Sequence, residues 1–203
     1  MIKHDYKTEL RTLYSAKVGA PVVVEVPSLN FIMVNGAGDP NTSPEYAHAI
    51  EALYPVAYKL KFMSKLELGE DYVVMPLEGL WWAKDMAAFS SADKSQWQWT
   101  AMIMQPNIIT PEMFERARAD VALNKRPSAI DKVRLDTYSE GRAAQVMYVG
   151  PYADEGPTIE ALHAFIAEQG GSLDGAKNHH EIYLGDPRRT PPAKLKTIIR
   201  QPF

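Results

Sequence analysis

Apolar positions in this chain recur at two spacings, and the changes between them divide it into elements. Residues 21–27 are a β-branched run bracketed by Pro21 and Pro27, which reads as a short edge strand. Residues 30–35 form a second strand, ending in the turn formers of residues 36–41. Ser43-Pro44-Glu45 then opens a helix with a capping serine, a proline at the first helical position and an early acid. Tyr46, Ile50, Leu53, Tyr54, Ala57 and Leu60 follow at helical spacing to about residue 63, and Pro55 predicts a kink or a division there. After a turn-like link, residues 71–82 and 96–106 read as strands.

The same alternation continues through the second half. Thr110-Pro111-Glu112 starts a helix that runs to about Asn124. Residues 133–138 and 142–150 are two strands about the turn Ser139-Glu140-Gly141, expected to pair as a hairpin. Residues 158–169 form a third helix, stopped by Gly170-Gly171. Residues 178–184 and 194–202 close the chain as strands.

This order is a repeat: strand, loop with Gly and Pro, helix, glutamate strand, strand ending Gln-Pro. In it Glu78 matches Glu181, and Gln105-Pro106 matches Gln201-Pro202. Each half is too small to bury its own helix and sheet. The predicted fold is therefore α+β: two pseudo-symmetric strand-helix-strand-strand modules forming an antiparallel sheet, with helices on one face and a central cleft. Residues 1–20 read as an arm, with Leu10, Leu13 and Tyr14 as its docking side chains. Residues 21–203 read as a single domain of two repeats, about 21–108 and 109–203.

Composition narrows the functions. Of 203 residues, 46% are hydrophobic and 23% charged, as in ordinary soluble domains. A net charge of -3 gives no basic footprint, so no direct nucleic-acid partner is expected. The absence of cysteine excludes disulfides, thiolate metal sites and a cysteine nucleophile. No signal-like segment and no apolar run near the roughly 18 residues of a membrane span is present, so the expectation is a cytoplasmic protein, monomer or homodimer.

The candidate chemistry sits in the strand at 178–184. Alternation sends His180, Ile182 and Leu184 to one face and His179, Glu181 and Tyr183 to the other. A strand glutamate must be solvated, paired or poised in a pocket. Aromatic residues accompany both repeat glutamates: Leu80, Trp81 and Trp82 beside Glu78, and Tyr183 beside Glu181. The pseudo-twofold places both glutamates near one cleft, of the concave apolar kind that takes small molecules. His179 and His180 face opposite ways and cannot readily share an ion, so no metal is expected, nor any cofactor. Asp186-Pro187-Arg188-Arg189 reads as a turn whose arginines pair with nearby acids.

Residues 76–82, and especially His180-Glu181-Ile182-Tyr183-Leu184-Gly185-Asp186-Pro187-Arg188-Arg189-Thr190, resemble the gyrase-inhibitor-like (GyrI-like) small-molecule-binding family. Residues 194–202 fit a stand-alone branch of it, and the resemblance runs from about Pro21 onward. It implies effector-binding relatives in which a central glutamate meets cationic aromatic ligands. It also implies relatives similar to hydrolases that open the strained cyclopropane of DNA-alkylating compounds. The chain carries no basic helix-turn-helix segment before the module, a departure from the regulator pattern. Under the hydrolytic reading, Glu181 with a raised pKa is general base on water, and Tyr148 or Tyr183 donates to the developing oxyanion. Glu78, Trp81, Trp82, Tyr46 and Met147 then hold the ligand. The alternatives are a non-catalytic sensing or sequestering module and a gyrase-inhibitor-type protein-interaction partner, and the residues alone do not separate these.

Overall fold

A computed structural model of the chain describes residues 2–83, 94–173 and 177–203. Among the described residues ten strands are formed: β1 (Ile2–His4), β2 (Val22–Val26), β3 (Leu29–Ala37), β4 (Glu70–Tyr72), β5 (Leu77–Ala83), β6 (Trp97–Gln105), β7 (Arg134–Tyr138), β8 (Gly141–Val149), β9 (His179–Tyr183) and β10 (Lys196–Pro202). The α-helices of the described residues are the short α1 (Tyr6–Glu9) and α2 (Arg11–Tyr14), then α3 (Pro44–Met63), α4 (Pro111–Asn124) and α5 (Gly156–Glu168). Ser43 and Thr110 cap α3 and α4 as their sequences predict, accepting from the amides of Glu45 and Met113. Helix α3 runs unbroken through Pro55, where a kink or a division was expected. Ala52, Leu53, Val56 and Ala57 are fully buried around that proline, and packing of this face outweighs one missing backbone bond. The strand expected over 71–82 is instead two, separated at Pro76. β4 leaves the main sheet to pair in parallel with β1.

Eight strands form one antiparallel sheet in the order β2-β8-β10-β9-β5-β6-β3-β7. Read outward from the central β9–β5 pair, each strand of one half faces its counterpart in the other. The hairpin expected between β7 and β8 does not form. β7 pairs with β3, through Ile32 opposite Leu135, and β8 pairs with β2, through Val24 opposite Ala143. A two-residue hairpin turn needs positive φ, and neither Ser139 nor Glu140 has it. The two repeats have exchanged edge strands.

That exchange bends the sheet. In the strand order β7 and β8 lie six places apart, about 29 Å if the sheet were flat. The chain from Tyr138 to Gly141 reaches at most about 11 Å. The Pro27-Ser28 link between β2 and β3 imposes the same limit. The edges must curl toward each other, away from the helix-covered face. Helices α3 and α5 cover the outer face, α3 over β3 and β6 and α5 over β8 and β10. Leu162 and Ile166 of α5 pack there on Ala144, Val146 and Ile199.

The inner face of the curl holds a buried polar chain. The Tyr14 hydroxyl donates to Glu78 Oε1 at 2.7 Å, and His180 bridges Glu78 Oε2 and Glu140 Oε1, both at 2.9 Å. Arg200 donates to Glu140 Oε2 at 2.9 Å, to Gln145 at 3.1 Å and to the Leu13 carbonyl at 2.5 Å. Gln145 in turn donates to the Thr12 carbonyl. One network thus ties α2, the exchanged β7–β8 link and the four strands β5, β9, β10 and β8. Burial alone would lower the pKa of His180, but the charges and hydrogen bonds of Glu140 and Glu78 raise it to about 9. Burial likewise opposes ionisation of Glu140, yet His180 and Arg200 bring it down to about 2.

Removing one member of such a buried set leaves its partners uncompensated, a cost of about 3–5 kcal/mol. His180→Ala is expected to lose about that much in denaturant unfolding at pH 6. The raised pKa of His180 means its stabilisation is complete below about pH 6.5 and is lost as pH rises through about 9. The deficit of the variant should therefore shrink between those values. A deficit constant across that range would show that His180 is not charged in the fold.

Candidate functional site

The β5–β9 register sets which side chains share a face. Gly79 stands opposite Glu181, Leu77 opposite Tyr183 and Trp81 opposite His179, all on the helix-covered face. Glu78 stands opposite Ile182, on the inner face. The two repeat glutamates therefore point to opposite sides of the sheet. Matching them as like strand positions was wrong by one residue, and in a strand one residue reverses the face. Glu78 is fully buried in the polar chain with Tyr14 and His180.

Glu181 lies at the centre of an aromatic frame between α3 and α5. Its Oε2 accepts from the Tyr183 hydroxyl at 2.7 Å, and its Oε1 lies 3.2 Å from His179 Nε2. Tyr183 in turn accepts from Trp81 Nε1 at 3.0 Å. Tyr46, in the first turn of α3, packs on Trp81 and edge-on against Trp99, with ring centres 5.5 and 5.0 Å apart. Tyr152, in the turn before α5, meets Tyr183 edge-on at 5.5 Å. Gly79 makes this arrangement possible: a Cβ there would sit 2.6 Å from Trp81 Nε1 and 3.1 Å from the Tyr183 hydroxyl. The Glu181 side chain keeps 15% of its surface, enough to meet a ligand.

The electrostatics differ from the expected raised glutamate. Burial pushes the Glu181 pKa up, but the hydrogen bond and charge of His179, then Tyr183 and Lys94, leave it below the usual range. The raised acid is Glu155, at the start of α5. Burial and the neighbouring charge of Glu181 push it up to about 9. Tyr183 and Tyr46 are raised as well, by burial first and by the charge of Glu181 next.

Of the predicted site residues, Glu181, Tyr183, Trp81 and Tyr46 come together. Tyr148 shares their face on β8, but its hydroxyl donates to the Pro151 carbonyl. Trp82 and Met147 lie on the inner face with Glu78, and Trp82 donates to Gln98. The Asp186 turn forms as read, with Arg188 bonded to the Asp186 carboxylate and Asp186 held at about 2 by it. Glu155, His179 and Tyr152 belong to the site and were not predicted for it. Two grooves, of about 290 Å³ between α3 and α4 and about 170 Å³ beside α5, are lined by other residues than Glu181. Among the described residues no cluster of His, Cys, Asp and Glu is arranged to hold a metal ion. No described helix is long and apolar enough to cross a membrane.

Three solved structures resemble this one over nearly the whole chain. A hydrolase from Listeria innocua is 39% identical, with 98% of each chain covered and a TM-score of 0.87. An uncharacterised conserved protein from the same organism is 37% identical, with the same coverage and TM-score. A further Listeria innocua hydrolase is 36% identical over 100% of this chain and 99% of its own, with a TM-score of 0.82. No curated protein matches the sequence. The model of the GyrI-like small molecule binding domain matches residues 20–203, and the chain belongs to that family.

Proposed function

We propose that the Glu181 site binds a flat hydrophobic molecule and hydrolyses those that carry a strained electrophilic carbon, such as a cyclopropane joined to a dienone. The observation that carries this reading is an ionised carboxylate, partly open to solvent, set in a wall of Trp81, Tyr46, Tyr183 and Tyr152. The description of two similar Listeria structures as hydrolases supports it. The rings stack on the ligand, and Glu181 takes a proton from the attacking water. A carboxylate held below its usual pKa is a weak base but a fully ionised one at neutral pH, so its charge is available without prior deprotonation. The Tyr183 hydroxyl, already donating to Glu181, fixes the direction of that charge. The same charge among rings also suits a bound cation, which would give binding without reaction.

Incubation with a spirocyclopropyl cyclohexadienone, followed by mass spectrometry, separates the two. The ring-opened, hydrated product is expected. In Glu181→Gln its rate should fall about 10²–10⁴-fold, the usual contribution of a general base. Binding without turnover in the native protein would replace hydrolysis by sequestration. Full turnover in the variant would remove Glu181 from the role of base.

Gly79→Ala offers a test of the frame itself. The added methyl drives Trp81 and Tyr183 apart, and fluorescence titration with the same dienone should show affinity reduced about tenfold, or about 1.4 kcal/mol. Unchanged affinity would show that the ligand sits elsewhere.

A further inference from the structure

Helix α3 buries one face completely and leaves the opposite one bare. Ala52, Leu53, Val56 and Ala57 are fully buried on the side packed against β3, β6 and α4. On the other side Tyr58 is 51% exposed and Phe62 49%. Leu66 is 80% exposed, in the π-helical turn Ser64–Leu68 that continues the helix. These three residues are spaced by four, so they form one stripe along the helix. The partly buried Tyr54 lengthens it by a turn, its ring 6.5 Å from that of Tyr58. Single apolar side chains on a surface are ordinary, but a continuous row of three rings and a leucine marks a contact face. Phe62 and Leu66 also line the groove between α3 and α4, which widens the apolar surface on that side.

The charges that accompany the stripe change sign along it. Glu45 and Glu51 stand in the N-terminal half of the helix, and Lys59, Lys61 and Lys65 in the C-terminal half and the turn beyond it. A second helix laid antiparallel brings acids to bases at both ends and sets the two helix dipoles head to tail. Laid parallel, it would set like charges side by side. A second copy of this chain, turned about a two-fold axis, supplies the reversed order of charges and the same row of rings.

We propose that α3 is the contact face of a homodimer, in which the two copies pack antiparallel about a two-fold axis at Tyr58. In that register Tyr58 meets its own counterpart. Tyr54 stands opposite Phe62 of the partner subunit, each four residues from the axis. Glu51 stands opposite Lys65 of the partner subunit, each seven residues, or two turns, from the axis.

The charges within one chain fit this assignment. Glu45 pairs with Lys132, Lys59 with Asp120 and Lys61 with Asp71, so these groups are engaged inside the fold. Glu51 is exposed and has no ion pair among the described residues. Lys65 has only a second share in Asp71, at 3.4 Å against 2.9 Å for Lys61, and keeps 34% of its side chain exposed. Glu51 and Lys65 are thus the charges left for a partner. Tyr58 and Phe62 are residue types favoured at the centre of an interface, where large rings bury much area at little cost in entropy. No residue of the Glu181 frame belongs to the stripe, so the contact stands apart from the reaction.

A contact confined to one helix of about 30 Å lies at the small end of stable interfaces. Sedimentation of the full chain is therefore expected to show a monomer–dimer equilibrium, with a dissociation constant of about 1–100 μM. Tyr58→Glu puts two like charges at the axis and should weaken association at least about tenfold. Glu51→Lys alone and Lys65→Glu alone should do the same, because each sets like charges opposite one another at two symmetric places. Mixing these two variants should restore a dimer, since every such pair in the mixed species is again acid with base. Lys61 keeps Asp71 paired in Lys65→Glu, and circular dichroism checks that all three variants fold. A native chain that stays monomeric at about 200 μM would overturn the proposal and leave the stripe to a partner of another kind. A dimer that survives Tyr58→Glu unchanged would place the contact elsewhere. A mixture of the two charge variants that stays monomeric would overturn the antiparallel register.

Discussion

The central β5–β9 pair has one register, with Gly79 opposite Glu181, and the chemistry of both sheet faces depends on it. Because strand side chains alternate, this register places Glu181 under the helices and Glu78 in the curl. A slip of one residue would send Glu181 into the space filled by Tyr14 and Arg200, and Glu78 toward the aromatic frame. Glu78 there would lose the Tyr14 hydroxyl and His180, which come from other elements. Glu78 thus helps to specify the register that serves Glu181, since a buried carboxyl without partners is far more costly than an apolar mismatch.

The exchange of edge strands supplies the second constraint. Two-residue links force β7 and β8, and β2 and β3, to reach across the curl, so neither repeat completes its sheet alone. Glu140, in one of those links, enters the interior and binds both His180 and Arg200. The N-terminal segment closes the same space through Tyr14 and the Leu13 and Thr12 carbonyls. Ion pairs in such a setting add little net stability over apolar packing, but they tolerate few alternatives. Their role here is to hold three chain segments in one arrangement, which fixes β9 from the face opposite Glu181.

Much of this was readable from residues. The caps Ser43 and Thr110 marked two helix starts, and alternation in residues 178–184 separated Glu181 from His180 before any partner strand was known. The failures concern pairing. Periodicity identifies a strand but not its neighbour, so β7 and β8 read as a hairpin although each pairs with the opposite repeat. Glu78 was matched to Glu181 by the likeness of their strands, whereas parity about Gly79 decides the face. Glu155 had no signal of its own. A glutamate ahead of Gly156-Pro157 carries no capping or catalytic pattern, and only its burial distinguishes it.

The duplication and the site pull in different directions, and the site has prevailed at its centre. A strictly symmetric pair of repeats would set like residues across the β5–β9 axis and cap both long helices alike. Instead a glycine faces Glu181, which leaves room for the Trp81–Tyr183 hydrogen bond that a second side chain would block. At the start of α3, Ser43 bonds an amide of its own helix. At the start of α5, Glu155 makes no such side-chain bond, and its backbone carbonyl accepts from Thr158 and Ile159. The scaffold is kept where the halves agree, in the strand order and the helix placement. The halves differ where Glu181 sits, for its carboxyl stands opposite a glycine and not opposite a second acid.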